Sequence, residues 1–545
     1  MLKAFKCNLR SVVVYNNYRQ HMLSKLGIIL ALALVLRIGM TDKIPPELFG
    51  DEIDVGYQSF SLLKTGKDLY RQILPIYVRS LSEPRAPLLM YATVPSVAIL
   101  GLNEYGVRTP EVVFGVLGIL IFFILTRNYM AATVMAIVPW HIIYSRAAFE
   151  VVLMLDLIML GVVLAQRKKE VLGFLFFALA MYTYSTAIVF VPLFILAVYR
   201  RDLWKMKRPF VFFTALLIPL VLVILTGDGR YRFERVGILG NSDLQNQVYE
   251  MKNRSGLQSD RFFYNKYLQI SSLVFSNYVR AFSPDFLFIR GDPVLRHSIQ
   301  VSGGMLPIMS VFIIPGLYLL AKNKQWLWLI WFFLAPVPSA LTYDGANHAT
   351  RLFLMLPPIC LAVAWGILKL GKTKFLLSVI CFLIALNFVW VSYYYINNYP
   401  KASWQWWHVG FAPIMKELSR LDSQYSRVFI NNTYEPSLER FLFWTKYPPD
   451  KFHKNFVADQ WINEIAPGYN GFKLGEKYYF GDFSDSAKQK QINNVFRSDS
   501  LYVVSQRDNV PGNWDWWKAP PSGTKVLAVS KNPLGIPIFY LVTGK

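Results

Sequence analysis

Long, uninterrupted apolar runs are the feature that most constrains this chain of 545 residues. Runs such as Val211–Thr226 and Phe375–Ile396 recur up to about residue 396, and beyond residue 400 the apolar residues are scattered. A helix of roughly 20 apolar residues is long enough to cross the hydrocarbon core of a bilayer. Charged residues make up 17% of the chain, whereas about 25% is usual in soluble proteins. The pattern predicts a polytopic α-helical membrane protein and excludes a soluble enzyme, a fibrous protein and a disordered chain.

Eleven runs are candidates for membrane spans. They are residues 24–40, 110–126, 129–144, 150–166, 171–184, 186–199, 209–226, 301–321, 325–343, 352–369 and 375–396. A further apolar run, 86–102, contains Pro87 and Pro95. If it crossed alone, the basic connectors that follow would face outwards, against the positive-inside rule. We therefore expect a juxtamembrane or re-entrant element there and about 11 crossings, or 12 or 13 if another marginal helix also crosses.

The positive charge of the chain is concentrated in its short connectors. The formal net charge is +23, and the connectors assigned to the cytoplasm hold 18 Lys or Arg residues and two acids. These connectors are 1–25, 167–170, 200–208, 322–324 and 369–374. This distribution predicts a multi-pass protein of the cytoplasmic (plasma) membrane with a cytoplasmic N-terminus. No nucleic-acid partner is expected, and the sequence gives no oligomeric state.

Two domains follow from this topology. Residues 1–399 form the predicted transmembrane domain, and its extracytoplasmic loops are 41–85, 145–149, 227–300 and 343–351. Residues 400–545 form a predicted soluble extracytoplasmic α/β domain, which contains no cysteine and therefore no disulfide. The strand-like segments there are Arg427–Asn431, Leu501–Ser505, Lys525–Ser530 and Ile536–Val542, and Pro436–Trp444 has a helical pattern. The last two strands flank a Lys-Asn-Pro-Leu-Gly turn, which is a hairpin signal.

The first outer loop carries acids near its start and a cation near its end. Asp51, Glu52 and Asp54 follow the first span, and Arg85 stands in Glu83-Pro84-Arg85-Ala86-Pro87-Leu88. Carboxylates in such a place can act as a general base or bind a cation. A guanidinium can pair with a phosphate at the depth of the lipid headgroups. The alternatives are a solvated loop end for the acids and interfacial snorkelling for the arginine.

The other short outer loops also carry charges. Arg146 and Glu150 lie in the second loop, and His348 and Arg351 lie in the fourth. The last two residues suit an anionic headgroup, although a single histidine is also a common structural residue. Asp156 lies inside a predicted span, where a carboxylate is costly and is a functional-site hypothesis by default.

Taken together, these four stretches resemble the GT-C superfamily of membrane glycosyltransferases. The similarity is greatest to the branch of protein O-mannosyltransferases (dolichyl-phosphate-mannose-protein mannosyltransferase-like) and lipid A aminoarabinose transferases. The matching stretches are Asp51-Glu52, Arg85-Ala86-Pro87-Leu88, Ser145 to Glu150, and Asn347-His348-Ala349-Thr350-Arg351 followed by Pro357-Pro358. The resemblance covers roughly residues 25–410.

The resemblance implies an inverting glycosyltransferase with a GT-C-like fold. The donor would be a hexose or pentose on polyprenyl phosphate, and the acceptor a lipid, glycan or protein at the outer face of the membrane. By position, Asp51 would be the general base and Glu52 would support it or contact the acceptor. The donor phosphate would be held by Arg85 with Arg351 or His348. Glu150 would shape the sugar site or bind a cation, and Arg146 would contribute to substrate binding.

The chain departs from the family pattern in places. Arg85 stands where many members have lysine, and Ala86 replaces a common proline. The tryptophan clusters Trp406-Trp407-His408 and Trp514-Asp515-Trp516-Trp517 do not match the Trp-Trp-Asp motif of oligosaccharyltransferases. Outside the oligosaccharyltransferase subgroup a catalytic metal is not expected, so we expect that no cofactor is required. The paired acids leave a divalent cation possible.

Two other functions remain open on the residues alone. A polytopic transporter or lipid-linked-sugar flippase with an outer domain would depend more on Asp156 or Arg37, because transporters place charges near the middle of the bilayer. A non-catalytic scaffold for cell-envelope assembly would depend on the tail and not on the outer-loop charges.

Overall fold

The computed structural model describes residues 23–81, 84–202, 204–226, 265–432, 434–457, 459–485, 496–508 and 524–545, with positions 237, 238, 246 and 250. Glu83, most of 227–264 and the Trp514–Trp517 cluster lie outside these residues. The chain divides into two compact units. The helical unit comprises the described part of Met1–Gly39 together with Glu111–Tyr394, and the mixed unit comprises Met40–Pro110 together with Tyr395–Lys545.

The helical unit contains a helix over residues 23–38 and a succession of apolar helices. Their bounds are Glu104–Thr126 (its first two turns belong to the mixed unit), Tyr129–Ile137, Pro139–Tyr144, Val151–Gln166, Glu170–Met181, Ser185–Tyr199, Lys207–Thr226, Lys266–Arg280, Ser310–Lys322, Trp326–Leu334, Val337–Ala340, Leu356–Leu370 and Lys374–Asn397 (its end belongs to the mixed unit). Short 3-10 or π turns precede or join them at Asp285–Ile289, Pro307–Met309 and Phe353–Met355.

Four of the described helices are long and apolar enough to cross a membrane: Glu104–Thr126, Lys207–Leu225, Phe353–Leu370 and Lys374–Asn397. Six other apolar helices in the described ranges have 10–17 residues. The membrane character predicted from the sequence is therefore supported, whereas 11–13 crossings stays a prediction. Leu88–Leu100, within the apolar run 86–102, has 13 residues, which rise about 20 Å as a helix.

Proline and glycine set the local shape of the helical unit. The predicted span 129–144 is two helices in the structure, because Val138 is extended before Pro139, which lacks the N–H that would continue the first helix. Helices Ser310–Lys322 and Leu356–Leu370 approach closely at two glycines. A Cβ at Gly316 would lie 1.7 Å from the Ala362 carbonyl oxygen, so this contact requires a residue without a side chain.

The C-terminal part of the mixed unit is a seven-stranded sheet flanked by helices. The strands are β1 (Arg427–Asn431), β2 (Ile462–Ala466), β3 (Tyr469–Leu474), β4 (Tyr478–Phe483), β5 (Ser500–Ser505), β6 (Thr524–Lys531) and β7 (Pro537–Gly544). Their order is β2-β3-β4-β1-β5-β7-β6. Strand β1 is parallel to β4 and β5, and the other pairs are antiparallel. The predicted α/β character of the tail, its first strand and its C-terminal hairpin are confirmed.

Both faces of this sheet are covered. On one face Phe429 stacks on Tyr502, with ring centres 4.9 Å apart. Helices Phe411–Leu421 and Leu438–Trp444 pack on the other face: the rings of Phe411 and Phe539 lie 4.5 Å apart, and those of Phe441 and Phe480 lie 5.5 Å apart. Helices Tyr399–Ser403 and Pro449–Asn455 belong to the same unit. Sequence alternation alone did not reveal strands β2 to β4.

The predicted first outer loop, residues 41–85, belongs to the mixed unit and packs on this C-terminal part. Its helix, Gly50–Thr65, is buried along most of its length. An added Cβ at Gly56 would lie 2.5 Å from Phe443 and 2.6 Å from Val107, so glycine permits this close approach. The Glu47 carboxylate accepts hydrogen bonds from the backbone N–H groups of Gly410 and Ala412. These contacts fix the start of the helix, where Asp51 and Glu52 lie.

Candidate functional site

The acids of the first loop lie at the start of helix Gly50–Thr65. Asp51 and Glu52 are in its first turn, where the helix dipole favours negative charge. Asp54 follows Asp51 by three residues, a spacing that places both on one face. The side chain of Asp51 is 44% exposed and that of Asp54 is 1% exposed. One carboxylate can therefore meet a substrate, and the other lies behind it.

Arg85 connects these two acids, a contact that the sequence did not predict. Its Nη2 lies 2.5 Å from Asp51 Oδ1, and its Nε lies 3.4 Å from Asp54 Oδ2. The backbone of Arg85 is fixed by two hydrogen bonds with Val78, and its side chain is 5% exposed. The guanidinium is thus held in place next to the exposed carboxylate.

Glu52 faces a different partner. Its carboxylate receives hydrogen bonds from Arg108 Nε at 2.9 Å and Arg108 Nη2 at 2.8 Å, and both side chains are fully buried. The same guanidinium donates to the carbonyl oxygens of Thr41, Pro45 and Glu47. This bidentate pair ties the helix to the chain that precedes it. A direct contact of Glu52 with an acceptor stays a prediction from the resemblance.

The C-terminal domain contributes charges to the same neighbourhood, which the sequence analysis missed. Glu439 Oε1 accepts a hydrogen bond from Ser80 at 3.5 Å. Burial raises the pKa of Glu439 to about 8, and the nearby Asp54 carboxylate adds to the rise. Burial also raises the pKa of Asp54 to about 6, against the opposing effect of Arg85. The two buried carboxyls thus keep protons more readily than free carboxyls do.

Arg440 lies beside this cluster. Its Nη2 is 2.7 Å from His408 Nδ1, and an added Cβ at Gly50 would be 3.4 Å from the same nitrogen. His408 Nε2 in turn lies 3.2 Å from Glu435 Oε1. Arg440 lies in the predicted helix Pro436–Trp444, and His408 belongs to the Trp406-Trp407-His408 cluster. Neither signal relates these residues to the first loop.

In the helical unit, the second-loop residues have structural contacts. Arg146 donates to the carbonyl oxygens of Leu36, Arg37 and Gly39, at 2.8, 3.2 and 2.6 Å. A cation at the end of helix 23–38 satisfies carbonyls that have no partner within the helix. Glu150 is half-buried and immediately precedes helix Val151–Gln166. Contact of either residue with a sugar stays a prediction.

The late-loop residues border a cavity of about 680 Å³ in the helical unit. His348, Asp292 and His297 line it on one side, and Ser276 and Arg280 of helix Lys266–Arg280 line another. Such a polar cavity can hold a charged, hydrated ligand. Arg351 pairs with Asp344 and donates to Thr342 Oγ1 at 2.7 Å, so its charge is partly neutralised.

Three side chains at this cavity could hold a cation. One ligand atom each from Asp292, His297 and His348 lies within 4.8 Å of the others. His297 Nδ1 is 3.1 Å from Asp292 Oδ2, which also accepts from the Ala349 N–H. His348 Nδ1 is buried without a hydrogen-bond partner among the described residues. Burial, followed by the charge of Arg351, holds the pKa of His348 well below its usual value, so the neutral ring can act as a ligand.

Two acids are buried within the apolar helices. The carboxylate oxygens of Glu111 and Asp156 have no hydrogen-bond partner in the described part of the chain. Gly118 gives Asp156 its space, since an added Cβ would lie 2.2 Å from the carboxylate. In the same unit Arg37 Nη2 is 2.6 Å from His141 Nδ1.

Comparisons with known proteins add little to this description. No protein-family model and no curated protein sequence matches the chain. Among solved structures, the chain is similar to one titled "Crystal Structure of ArnT from Cupriavidus metallidurans in the apo state". The alignment covers 97% of this chain and 98% of that chain, with 11% identity and a TM-score of 0.37. A likeness at this level does not assign the chain to a family.

Proposed function

We propose that this protein is an inverting glycosyltransferase that moves a sugar from a polyprenyl-phosphate carrier to an acceptor at the outer face of a membrane. The observation that carries the proposal is the Asp51–Arg85 pair, in which an exposed carboxylate is held 2.5 Å from a buried guanidinium. The membrane-capable helices and the resemblance of the outer-loop motifs support the same conclusion.

The proposed reaction needs a base and a cation. An acceptor hydroxyl would transfer its proton to Asp51 while its oxygen attacks the anomeric carbon of the donor. The bond from that carbon to the phosphate oxygen would break, and polyprenyl phosphate would leave with the electron pair. Because this leaving group is already a stable anion, no strong general acid is required. Positioning of the acceptor and neutralisation of charge supply the catalysis.

Arg85 has the properties of the neutralising cation. A guanidinium forms paired hydrogen bonds with phosphate oxygens, and here its position is fixed by its backbone pairing with Val78. When a phosphate approaches Arg85, the hydrogen bond to Asp51 would weaken and leave that carboxylate a stronger base. Asp54, held behind Arg85 at 3.4 Å, would keep the guanidinium in place through this exchange.

The helical unit has a polar cavity of its own, and we propose that this cavity binds an anionic ligand independently of the Asp51–Arg85 pair. It has room for a sugar phosphate, since ligand pockets usually measure about 300–1,000 Å³. His348 and Arg280 supply donors or positive charge there, and the Asp292 cluster would accept a divalent cation. Such a cation would offset phosphate charge, and no step of the proposed reaction depends on it.

The proposal is tested by transfer from radiolabelled polyprenyl-phosphate sugars, both hexoses and pentoses, with purified protein in lipid. Arg85→Gln should raise the donor KM and lower kcat, and Arg85→Lys should restore part of both because it keeps the charge. Lys64→Gln, at the far end of helix Gly50–Thr65 from Asp51, removes a cation away from the pair; it is the control and should behave as wild type. Absence of transfer from every donor, or wild-type kinetics in Arg85→Gln, would refute the proposal.

A transporter or lipid-linked-sugar flippase is the second candidate, and one observation favours it. Asp156 and Glu111 are buried in apolar helices without hydrogen-bond partners among the described residues, and intramembrane carboxyls often mark transport pathways. This function predicts that Asp156→Asn abolishes movement of the lipid-linked sugar across vesicles while Asp51→Asn does not. The transferase predicts that Asp51→Asn has the larger effect and that lipid movement is absent.

A further inference from the structure

The loop after helix Gly50–Thr65 exposes a group of aliphatic side chains. Ile73, Leu74 and Ile76 are 72%, 65% and 48% exposed. Single exposed aliphatic residues are common on proteins, but a group of them on one turn marks a surface that contacts another molecule or a membrane. All three lie in the mixed unit, and none belongs to the Asp51–Arg85 pair or to the cavity of the helical unit.

The backbone of this loop is fixed by hydrogen bonds, so the exposure is a property of its fold. Asp68 Oδ1 accepts hydrogen bonds from the backbone N–H groups of Tyr70 and Gln72, at 2.9 and 2.8 Å. Arg71 and Leu74 nevertheless have φ angles of 67° and 41°, a left-handed conformation that is unfavourable for residues with a Cβ. Backbone strain of this kind persists where the surrounding structure enforces it, and it is concentrated at functional sites. The strained loop is therefore a candidate for a binding role.

The exposed apolar surface continues from the loop onto helix Leu88–Leu100. The hydroxyl of Tyr91, in the first turn of this helix, donates to the carbonyl oxygen of Pro75 at 2.8 Å and so joins the two elements. The helix contains no charged residue. Pro95 and Ile99 are both exposed, and their spacing of four places them on one face. One uncharged surface therefore runs from the loop along the helix.

Basic residues lie along the same loop. Four of them fall between residues 63 and 79: Lys64, Lys67, Arg71 and Arg79. Lys67 stands opposite Ile73 in a β-bridge, and the one acid of this segment, Asp68, is buried. Aliphatic side chains with cations beside them suit the interface of an anionic bilayer, because the aliphatic groups enter the acyl region and the cations stay at the phosphates.

A bilayer is also the partner that the chain itself brings close. Helix Glu104–Thr126, which is long and apolar enough to cross a membrane, begins four residues after Leu100. Four residues span at most about 14 Å. The end of helix Leu88–Leu100 therefore lies close to any membrane that the longer helix crosses, whereas a second protein has no such tether to this surface.

We propose that Ile73, Leu74 and Ile76, together with the exposed face of helix Leu88–Leu100, form a surface that inserts into the headgroup region of an anionic bilayer. The aliphatic side chains leave water for the acyl chains, and the flanking cations pair with lipid phosphates. The proposal goes beyond the transfer reaction and does not depend on it.

Lipid contact at this surface has a consequence for Arg85. Val78 follows Ile76 by two residues, which span about 7 Å, and the backbone of Val78 pairs with that of Arg85. Insertion of the loop therefore keeps Arg85 near the depth of the lipid phosphates, where a polyprenyl-phosphate donor carries its own phosphate. Only this consequence rests on the proposed function.

The test is the depth of the loop in lipid, measured on the full chain with one copy in each nanodisc of phosphatidylcholine and phosphatidylglycerol. An environment-sensitive fluorophore is attached at Ile73→Cys or Leu74→Cys, in a chain that also carries Cys7→Ser and Cys381→Ser. Cys360 is buried and stays unlabelled. Lipids with a nitroxide near the headgroup quench labels that lie in the bilayer, and iodide quenches labels that lie in water.

The loop labels should be quenched several-fold more by the lipid nitroxide, and several-fold less by iodide, than a control label at Ser498→Cys. Ser498 is exposed just before β5 and lies outside the proposed surface. Because the replaced loop side chains are exposed, the variants are expected to fold, and their melting temperatures check this. Ile76→Cys supplies a further loop position if one of the others does not fold.

Two outcomes would overturn the proposal. Loop labels that iodide quenches as strongly as the Ser498→Cys label would place the loop in water. Loop labels that are shielded from iodide but are not quenched by the lipid nitroxide would place a protein surface, and not lipid, against the loop. Transfer activity is not measured, so failure here leaves the glycosyltransferase proposal unaffected, and the reverse also holds.

Discussion

Removal of the Glu52 carboxylate should destabilise the protein far more than removal of the Asp51 carboxylate. Both residues stand in the acidic motif of the first loop, but only Glu52 is fully buried, in a bidentate pair with Arg108. In Glu52→Gln the shape is kept, and the guanidinium of Arg108 is left buried with carbonyl oxygens as its remaining partners. The loss of one partner of a buried pair costs roughly 3–5 kcal/mol.

The expected shift can be measured as a melting temperature. For a unit of about 200 residues, 1 kcal/mol corresponds to roughly 2–4 °C. The lower end of the cost therefore predicts a fall of about 6–12 °C for Glu52→Gln. Asp51→Asn, at a side chain that is 44% exposed, should lower the melting temperature by about 4 °C or less, because an ion pair with a solvent-exposed carboxylate contributes at most about 1 kcal/mol.

The assay is thermal unfolding of the purified full chain in detergent, followed by tryptophan fluorescence, with transfer activity measured at 20 °C. Glu52→Gln should lose stability and keep activity where it is folded. A Glu52→Gln variant that melts like wild type and has lost transfer would refute a structural role for Glu52 and would assign the residue to the reaction itself.

Three further predictions follow from particular contacts. The folded chain keeps the Glu439 proton up to about pH 8, whereas an ordinary carboxyl loses its proton near pH 4.5. The free energy of unfolding should therefore fall as the pH rises between these values. Glu439→Gln cannot titrate, so its melting temperature should fall less than that of wild type from pH 5 to 8. Gly56→Ala should lower the free energy of unfolding by about 1–3 kcal/mol through overpacking against Phe443, which is measured as a lower melting temperature. Gly27→Ala is the control and should not destabilise the protein, because nothing lies within 4 Å of the added Cβ. Zn²⁺ at a hundred times its Kd should stabilise wild type by about 2.7 kcal/mol, and this gain should vanish in His348→Ala or with chelator; an equal gain in that variant would place the metal elsewhere.

The sequence predicted those features that depend on local pattern. Apolar runs predicted helices such as Lys374–Asn397, and turn residues between β-branched segments predicted the β6–β7 hairpin. Strands β2 to β4 were missed because their exposed and aromatic residues do not alternate regularly; β2, for example, is mostly exposed. The proline break at Val138 was missed because composition was averaged over the whole span.

The candidate sites were predictable only in part. The outer-loop motif indicated Asp51 and Arg85, and the structure places them in contact. The motif could not show that the Glu52 side chain would pair with Arg108, because the partners of two adjacent helical residues depend on how the helix packs. Nor could it show that Glu439 would approach Asp54, since 385 residues of chain separate them and no local pattern encodes such a contact.

The most direct test of the central claim is sugar transfer by wild type and Asp51→Asn, side by side. Each protein is reconstituted in lipid with a radiolabelled polyprenyl-phosphate sugar and envelope extract as acceptor, and folding is checked by melting temperature. Removal of a general base typically costs about 10²–10⁴ in rate, so the folded variant should lose transfer by at least about a hundredfold while its donor KM changes little. Transfer by Asp51→Asn at the wild-type rate would contradict the account.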